Sequence, residues 1–330
     1  MLPLHDDGAG GYKAERRTGT CLTPRLIQKQ YTRRGGRGDS PLGAGGKKHL
    51  GADAPNEEKE NRENMKITAL IENTASAPEF CCEHGLSLLI ETDHHKVLFD
   101  SGASIDFTKN AEQLGIDLTK VDVAFLSHGH NDHSGGMEEF LKINTTAKVY
   151  AREGFDLPHF SAKGEDISVS KTLAEDERVV RLNRGRTELG RGLTIVSYPT
   201  KRPIVETGSY GMFEFKDGKP HLEKFTHEHY LIVSEKGRKT IFTGCSHRGI
   251  VNITDWARED GVTTVVGGFH VMGVEKSEFD KTLYDIAWGL LQYPCRYWTC
   301  HCTGKEQYEY MKGIMGDRLN CIASGESVVI

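Results

Sequence analysis

From Met65 onward the chain alternates short apolar runs with polar, turn-rich stretches. The runs at Ile67–Ile71, Leu86–Glu91, Lys96–Phe99, Val121–Leu126, Lys148–Ala151, Leu193–Ser197, Tyr230–Ser234, Thr240–Thr243 and Val262–Val266 have the length and β-branched content of strands. Helical spacing predicts Phe107–Leu114, closed by Gly115, and Ile250–Asp260. A third helix is predicted over Phe279–Leu291, where Phe279, Leu283, Ile286 and Leu290 fall on one face. Strands interleaved with helices predict one α/β domain over residues 65–330, with no internal repeat visible by eye.

Residues 1–64 break that pattern. They hold 11 of the 37 Gly and 4 of the 10 Pro, with Tyr12 and Tyr31 as their only aromatics. So little apolar surface cannot offset the entropy of ordering the chain, and a disordered Gly-rich extension is expected. Scattered Leu and Ile give no apolar core for a signal peptide, and Asp6, Asp7 and Glu15 argue against a mitochondrial presequence. Arg37-Gly38-Asp39-Ser40 matches an adhesion tetrapeptide, a weak pattern that fits an alternative reading as a non-catalytic, metal-stabilised binding protein.

Charge narrows the partners. Net charge is −5 overall, but the extension carries 12 Lys+Arg against 9 Asp+Glu, which leaves 30 against 38 for the domain. An acidic domain without a basic, aromatic-interleaved stretch is not expected to bind nucleic acid. No run approaches the ~20 apolar residues of a membrane span. The eight Cys form no C-x-x-C pair, so free thiols in a reducing, cytoplasmic setting are expected.

The chemistry concentrates after the apolar strand that ends at Leu126. Ser127-His128-Gly129-His130-Asn131-Asp132-His133-Ser134-Gly135-Gly136 places three His and one Asp within six positions. On an extended segment His128 and His130 leave on the same side and can grip one ion. After a turn, Asp132 and His133 can be presented to a second, with Gly129, Gly135 and Gly136 letting the backbone bend. Imidazole and carboxylate suit zinc, and a catalytic site keeps one coordination position open.

This His-x-His-x-Asp-His run resembles the signature of the metallo-β-lactamase superfamily, and the resemblance covers roughly residues 65–330. It implies a four-layer αββα sandwich with a one- or two-metal site at the edge of the sheets. Leu98-Phe99-Asp100-Ser101-Gly102 resembles the early turn whose Asp supports the site from behind the ligands. Ile241-Phe242-Thr243-Gly244 resembles the later strand end, and His301 stands where the last ligand comes. Di-iron relatives carry Glu at the position of His130, so zinc-type chemistry is favoured over redox. One departure narrows the branch: Cys245 replaces the usual bridging Asp, followed by Ser246-His247-Arg248-Gly249-Ile250. With Val266-Gly267-Gly268-Phe269-His270, His301-Cys302-Thr303-Gly304, Ile71-Glu72-Asn73-Thr74 and Glu83-His84-Gly85, the chain resembles dihydropterin–aminobenzene ribosyl phosphate synthases, many of them called simply metallohydrolases of this fold.

The resemblance implies two divalent ions, zinc first with manganese or iron as alternatives. His128 and His130 are expected on the first ion, with His227 as third ligand and His229 in reserve. Asp132, His133 and His301 are expected on the second ion, and Asp132 also as the residue that orients the attacking water. Cys245 or His247 takes the place of the missing Asp, with His247 preferred. His270 is expected at the pocket, and Arg248, with Lys201 and Arg202, as a binder of substrate phosphate or carboxylate. Cys300 and Cys302 are expected to point away from His301 as packing residues. The activity implied is a transfer to, or hydrolysis of, a small phosphorylated molecule.

Overall fold

The computed structural model describes residues 65–183 and 185–330. The extension expected over 1–64, with Arg37–Ser40, lies outside the described residues.

In chain order the strands are β1 (Lys66–Ile71), β2 (Ser87–Glu91), β3 (Lys96–Phe99), β4 (Val123–Phe125), β5 (Lys148–Arg152), β6 (His159–Phe160), β7 (Val179–Leu182), β8 (Arg186–Gly190) and β9 (Leu193–Val196). They continue as β10 (Phe213–Lys216), β11 (Lys219–Leu222), β12 (Tyr230–Glu235), β13 (Arg238–Phe242), β14 (Thr264–Val266), β15 (Arg296–Thr299), β16 (Leu319–Cys321) and β17 (Ser327–Val329). The α-helices are α1 (Asp106–Gln113), α2 (Asn131–Ser134), α3 (Met137–Ile143), α4 (Lys171–Glu175), α5 (Ile250–Ala257), α6 (Tyr284–Leu291) and α7 (Lys305–Met315). All nine expected strands and all three expected helices are present within a few residues, although Phe279–Leu283 opens the third helix as a π-turn.

Two seven-stranded sheets form the centre, ordered β17-β1-β2-β3-β4-β5-β7 and β16-β15-β14-β13-β12-β9-β8. Each follows the same plan, four adjacent parallel strands continued by three antiparallel ones. Strand alternation divides the core. Leu88 and Ile90 of β2, with Phe99 and Phe125, meet Leu231, Val233 and Phe242 of the other sheet, and Phe99 lies 5.8 Å from Phe242 across the seam. Leu89, between them, faces the other way, toward Phe107 and Ala111 of α1 and Met137 and Phe140 of α3. A strand buried on both faces reads as a continuous apolar run, which is why β2 is so plain in the sequence. On the far side α5 is buried along its whole length, and the Tyr297 hydroxyl of β15 donates to the Leu290 carbonyl of α6 at 2.8 Å. The layers are helix, sheet, sheet, helix.

A small third sheet, β11-β10-β6, stands apart from the sandwich. Its β10–β11 hairpin turns at Asp217-Gly218, both with positive φ (52° and 72°), the conformation that Asp-Gly favours in a two-residue turn.

This architecture positions the chemistry. The parallel strands β3, β4, β13, β14 and β15 end at Phe99, Phe125, Phe242, Val266 and Thr299. One to five residues past those ends come Asp100, His128, Cys245 and His247, His270 and His301. In α/β sheets ligands bind outside the carboxyl ends of parallel strands, and here two such edges converge.

Candidate metal centre

The His-rich run leaves β4 and enters α2, with His130 extended (φ −107°, ψ 148°) as the residue capping that helix. The His128 and His130 rings lie 4.5 Å apart, on one side of the chain as alternation requires. The glycines here serve close approach more than bending, since Gly129 has no positive φ. A Cβ on Gly129 would sit 2.1 Å from the Phe155 carbonyl oxygen.

Two groups of donors meet. His247 Nε2 is 3.2 Å from His128 Nε2, and the His247 and His130 rings are 4.9 Å apart. On the other side His133 Nε2 is 3.2 Å from His301 Nε2, and Asp132 Oδ2 lies 3.4 Å from His301 Nε2. Cys245 Sγ is 3.1 Å from His133 Nε2 and also belongs to the cluster with His128 and His247. Cys245 and His247 are therefore not rivals for one position: the thiol lies at the seam and the imidazole beside His128.

Hydrogen bonds behind the rings fix which nitrogen faces inward. Asp100, fully buried, accepts from the Ser127 amide at 2.7 Å, the Ser127 hydroxyl at 2.7 Å and His133 Nδ1 at 2.7 Å. With its one hydroxyl proton given to Asp100, Ser127 Oγ accepts from His128 Nδ1 at 2.8 Å. Asn73 Oδ1 accepts from His301 Nδ1 at 2.8 Å, and Glu72 takes the His301 amide at 3.0 Å. These partners hold the Nδ1 protons, so the Nε2 atoms of His128, His133 and His301 converge on the centre. Glu228, fully buried, accepts from the amides of His247 and Arg248 at 2.7 and 3.1 Å and ties down the Cys245–Arg248 loop.

Electrostatics point the same way. Burial, reinforced by neighbouring imidazoles, holds His128 and His247 well below the ordinary histidine value. His130 is also well below, by burial and then His227. Burial opposes charge on His133 too, but Asp132 and Asp100 outweigh it and push it up to about 9. Asp132 is the converse: burial is outweighed by His133 and His301, which keep its carboxyl below the usual range. Neutral imidazoles facing a carboxylate, with His130 Nε2 buried and without a hydrogen-bond partner among the described residues, suit divalent cations. These residues fit a metal centre.

Two of the expected site residues have partners within the protein. His227 Nδ1 accepts from the Gly129 amide at 2.9 Å and its Nε2 lies 2.8 Å from Glu223, and with His130, His159 and Glu223 it forms a group able to hold a metal ion. It braces the backbone between His128 and His130, while His247 stands beside His128. His229 is also interior, donating to the Leu126 carbonyl at 2.7 Å, with burial lowering it to about 3. Arg248 is held by protein partners. Its guanidinium donates to the Ser197 and Tyr198 carbonyls and lies 4.6 Å over the Trp256 ring. Lys201 pairs with Glu259.

Cys300 packs between the sheets as expected, but Cys302 does not point away from the centre. The strand ends at Thr299, His301 takes a left-handed φ of 52°, and His301–Thr303 coil into a 3₁₀ turn that brings Cys302 to Cys245. The His270 ring lies 4.2 Å from that of His247. One further histidine reaches the site from the loop before β2. His84, about half exposed, has Nε2 3.4 Å from Asp132 Oδ2 and its ring 4.8 Å from His301.

Residues 82–271 match the sequence profile of the metallo-β-lactamase superfamily. The chain belongs to that superfamily. It is 29% identical over 269 residues to the 7,8-dihydropterin-6-methyl-4-(β-D-ribofuranosyl)-aminobenzene-5′-phosphate synthase of Methanocaldococcus jannaschii, covering 73% of this chain and 88% of that one. It is also 31% identical over 169 residues to the anti-Pycsar protein Apyc1 of Paenibacillus harenae, covering 48% and 68%. Among solved structures, a metal-dependent hydrolase of the β-lactamase superfamily superposes with a TM-score of 0.67 at 27% identity, covering 81% of this chain and 99% of that one. As in that superfamily, the chain carries residues able to hold metal. No helix among the described residues is long and apolar enough to cross a membrane.

Proposed function

We propose that this superfamily member is a di-metal enzyme acting on a small phosphorylated substrate, with the chemistry of the dihydropterin–aminobenzene ribosyl phosphate synthases it resembles. In this reading His128, His130 and His247 would hold one divalent ion and Asp132, His133 and His301 the other, with the Cys245 thiol between them. The observation that carries it is that these donors come from the carboxyl ends of two sheets into overlapping groups, His128 with His130 and Asp132, His128 with Cys245 and His247, and Asp132 with His133, Cys245 and His301, with the Nδ1 protons of His128, His133 and His301 held from behind.

Two bound Zn²⁺ ions would supply Lewis acidity, bringing a water's pKa down to about 7 and polarising a substrate oxygen. The protein's own part is to hold that geometry. Asp100 orients His133 directly and His128 through Ser127, Asn73 orients His301, and Glu228 fixes the loop of His247. Asp132, the donor that keeps solvent exposure (its side chain 18% exposed), faces the open side and orients the attacking group there. Developing oxyanion charge is stabilised in the low-dielectric floor of the site. With Arg248 and Lys201 already paired, a substrate phosphate relies on the ions for its countercharge.

A second reading, hydrolysis of a phosphoester, lactone or thioester, is favoured by the structural likeness to a metal-dependent hydrolase over nearly that whole chain. The open side at Asp132 and His84 argues against a purely structural metal. Seven free thiols among the described residues suit a reducing compartment such as the cytoplasm. The deciding experiment incubates the Zn²⁺-loaded protein with a pterin diphosphate and the aminobenzene ribosyl phosphate, beside a panel of phosphodiesters and esters. Diphosphate release coupled to C–N bond formation supports transfer, and turnover of the panel alone supports hydrolysis. No bound metal, or activity unchanged in His128→Ala, would refute both.

A further inference from the structure

His270 and Cys302 have no part in the proposed pair of ions, yet they lie against it. Cys245, His270 and Cys302 bring two thiol sulfurs and an imidazole nitrogen within 4.8 Å of one another. They follow β13, β14 and β15, three adjacent parallel strands of one sheet. A tetrahedral ion with metal–sulfur bonds of about 2.3 Å spaces its donors roughly 3.8 Å apart, so this triangle is of ligand size.

The backbone is shaped for it. Gly267 takes a φ of 145°, and a Cβ on Gly268 would sit 2.3 Å from Cys302 Sγ, so a side chain there would displace the thiol. His270 holds a left-handed φ of 52°, a costly conformation for a non-glycine residue that recurs at functional sites. The Tyr210 ring packs 4.4 Å from His270 and holds it in place. Its Nδ1 is buried without a hydrogen-bond partner among the described residues. The thiols are free, with Cys302 against the Cys245 and His270 side chains and 3.5 Å from the Cys245 carbonyl.

We propose that Cys245, His270 and Cys302 form a further metal position beside the di-metal pair, selective for a thiophilic ion such as Zn²⁺ or Cd²⁺. Two thiolates and an imidazole make it softer than the His and Asp positions. On binding, two S–H bonds break, two protons pass to solvent and two metal–sulfur bonds form, with no change of oxidation state.

The test uses the full-length protein, stripped with chelator and titrated with ¹¹³Cd²⁺. The nuclear resonance of ¹¹³Cd reports its donor set, and elemental analysis counts the ions. Wild type is expected to show one resonance in the range of two-sulfur coordination, apart from those of nitrogen–oxygen sites. Cys302→Ser and His270→Ala are each expected to bind one ion fewer and to lose that resonance, whereas His128→Ala keeps it. A wild-type spectrum without a two-sulfur resonance overturns the proposal even if the variants fail to fold, and so do variants that match wild type in count and spectrum. Cys245 is shared with the proposed pair but His270 and Cys302 are not, so the outcome stands apart from the proposed function: an empty His/Asp pair leaves the two-sulfur resonance in place.

Discussion

Replacing Asp100 by Asn tests whether the site is set from behind its donors. The carboxylate accepts three hydrogen bonds at 2.7 Å, from the Ser127 amide, the Ser127 hydroxyl and His133 Nδ1. The amide of Asn has one acceptor oxygen and one donor group. If the oxygen keeps the Ser127 amide, an N–H faces His133 Nδ1, which must then accept. The His133 proton moves to Nε2, the atom that faces Cys245 and His301. A ring protonated there cannot ligate. Lost partners behind a ligand histidine typically cost 10–100-fold in metal affinity, or about 1.4–2.7 kcal/mol. The effect falls on the ion held by Asp132, His133 and His301, and more weakly on the other through Ser127 and His128. Competition against a chromophoric chelator, with circular dichroism to confirm folding, reads both affinities. Equal affinities in Asp100→Asn and wild type would refute the argument that Asp100 sets the tautomer.

Further outcomes follow from the same geometry. Because His133 is raised to about 9 in the metal-free protein, its charge stabilises the fold fully below about pH 6.5, and that contribution is lost as pH rises through about 9. An ion at Nε2 must displace the same proton, so affinity should rise about tenfold per pH unit from 7 to 9; a flat profile by calorimetry would contradict it. Arg248→Ala should lower stability by about 2–3 kcal/mol through the lost charge-assisted bonds to two carbonyls, read by urea unfolding, with KM for a phosphorylated substrate unchanged. A large KM effect at unchanged stability would restore Arg248 as a substrate residue. Glu223→Gln should loosen the His227 brace on Gly129 and weaken the ion held by His128 and His130, and unchanged affinity would make that brace mere packing. A chain beginning at Met65 should fold with the metal content of the full protein; loss of metal would make residues 1–64 part of the domain.

What the sequence discloses here follows from how local each signal is. Doubly buried strands such as β2 and the amphipathic run of α1 declare themselves by period. The His128–His133 run declares itself because its donors lie within one strand-to-helix turn. Donors brought in by other strand ends are harder to read. His227 and His247 are equally good histidines beside strands, and only tertiary packing shows that one is braced between Gly129 and Glu223. Cys302 was misplaced because strand alternation was carried past Thr299, where the chain has already coiled. Arg248 looked like a free cation because nothing local reveals the Ser197 and Tyr198 carbonyls about 50 residues before it. The β10–β11 hairpin, in contrast, carries a local signal in its Asp-Gly pair.

The strained residues show what the fold spends on this centre. Asp100, Ser246, His270 and His301 all take left-handed φ between 52° and 60°, and each follows the end of a parallel strand. Each conformation costs of order 1–3 kcal/mol and persists only where its surroundings over-determine it. Those surroundings are identifiable: Ser127 and His133 on Asp100, Thr243 on Ser246, Tyr210 and His247 against His270, Glu72 and Asn73 on His301. The left-handed turn reverses the chain at the lip of the sheet, so that a side chain that would otherwise continue the pleat is aimed across the gap at the other sheet. Two edges of parallel strands, each turned inward in this way, bring donors from opposite halves of the sequence to within 3.2 Å. A substitution that relaxes one of these turns should therefore raise stability while lowering metal affinity. His301→Gly, which relieves strain and deletes a donor at once, cannot separate the two effects, but Ser246→Gly can. It relieves the left-handed strain, gives up the Ser246 hydroxyl bond to Thr243 and leaves every donor in place. If metal affinity is unchanged in Ser246→Gly, the left-handed turns are incidental to the site; if it falls, rigidity at the strand ends is part of how the ions are held.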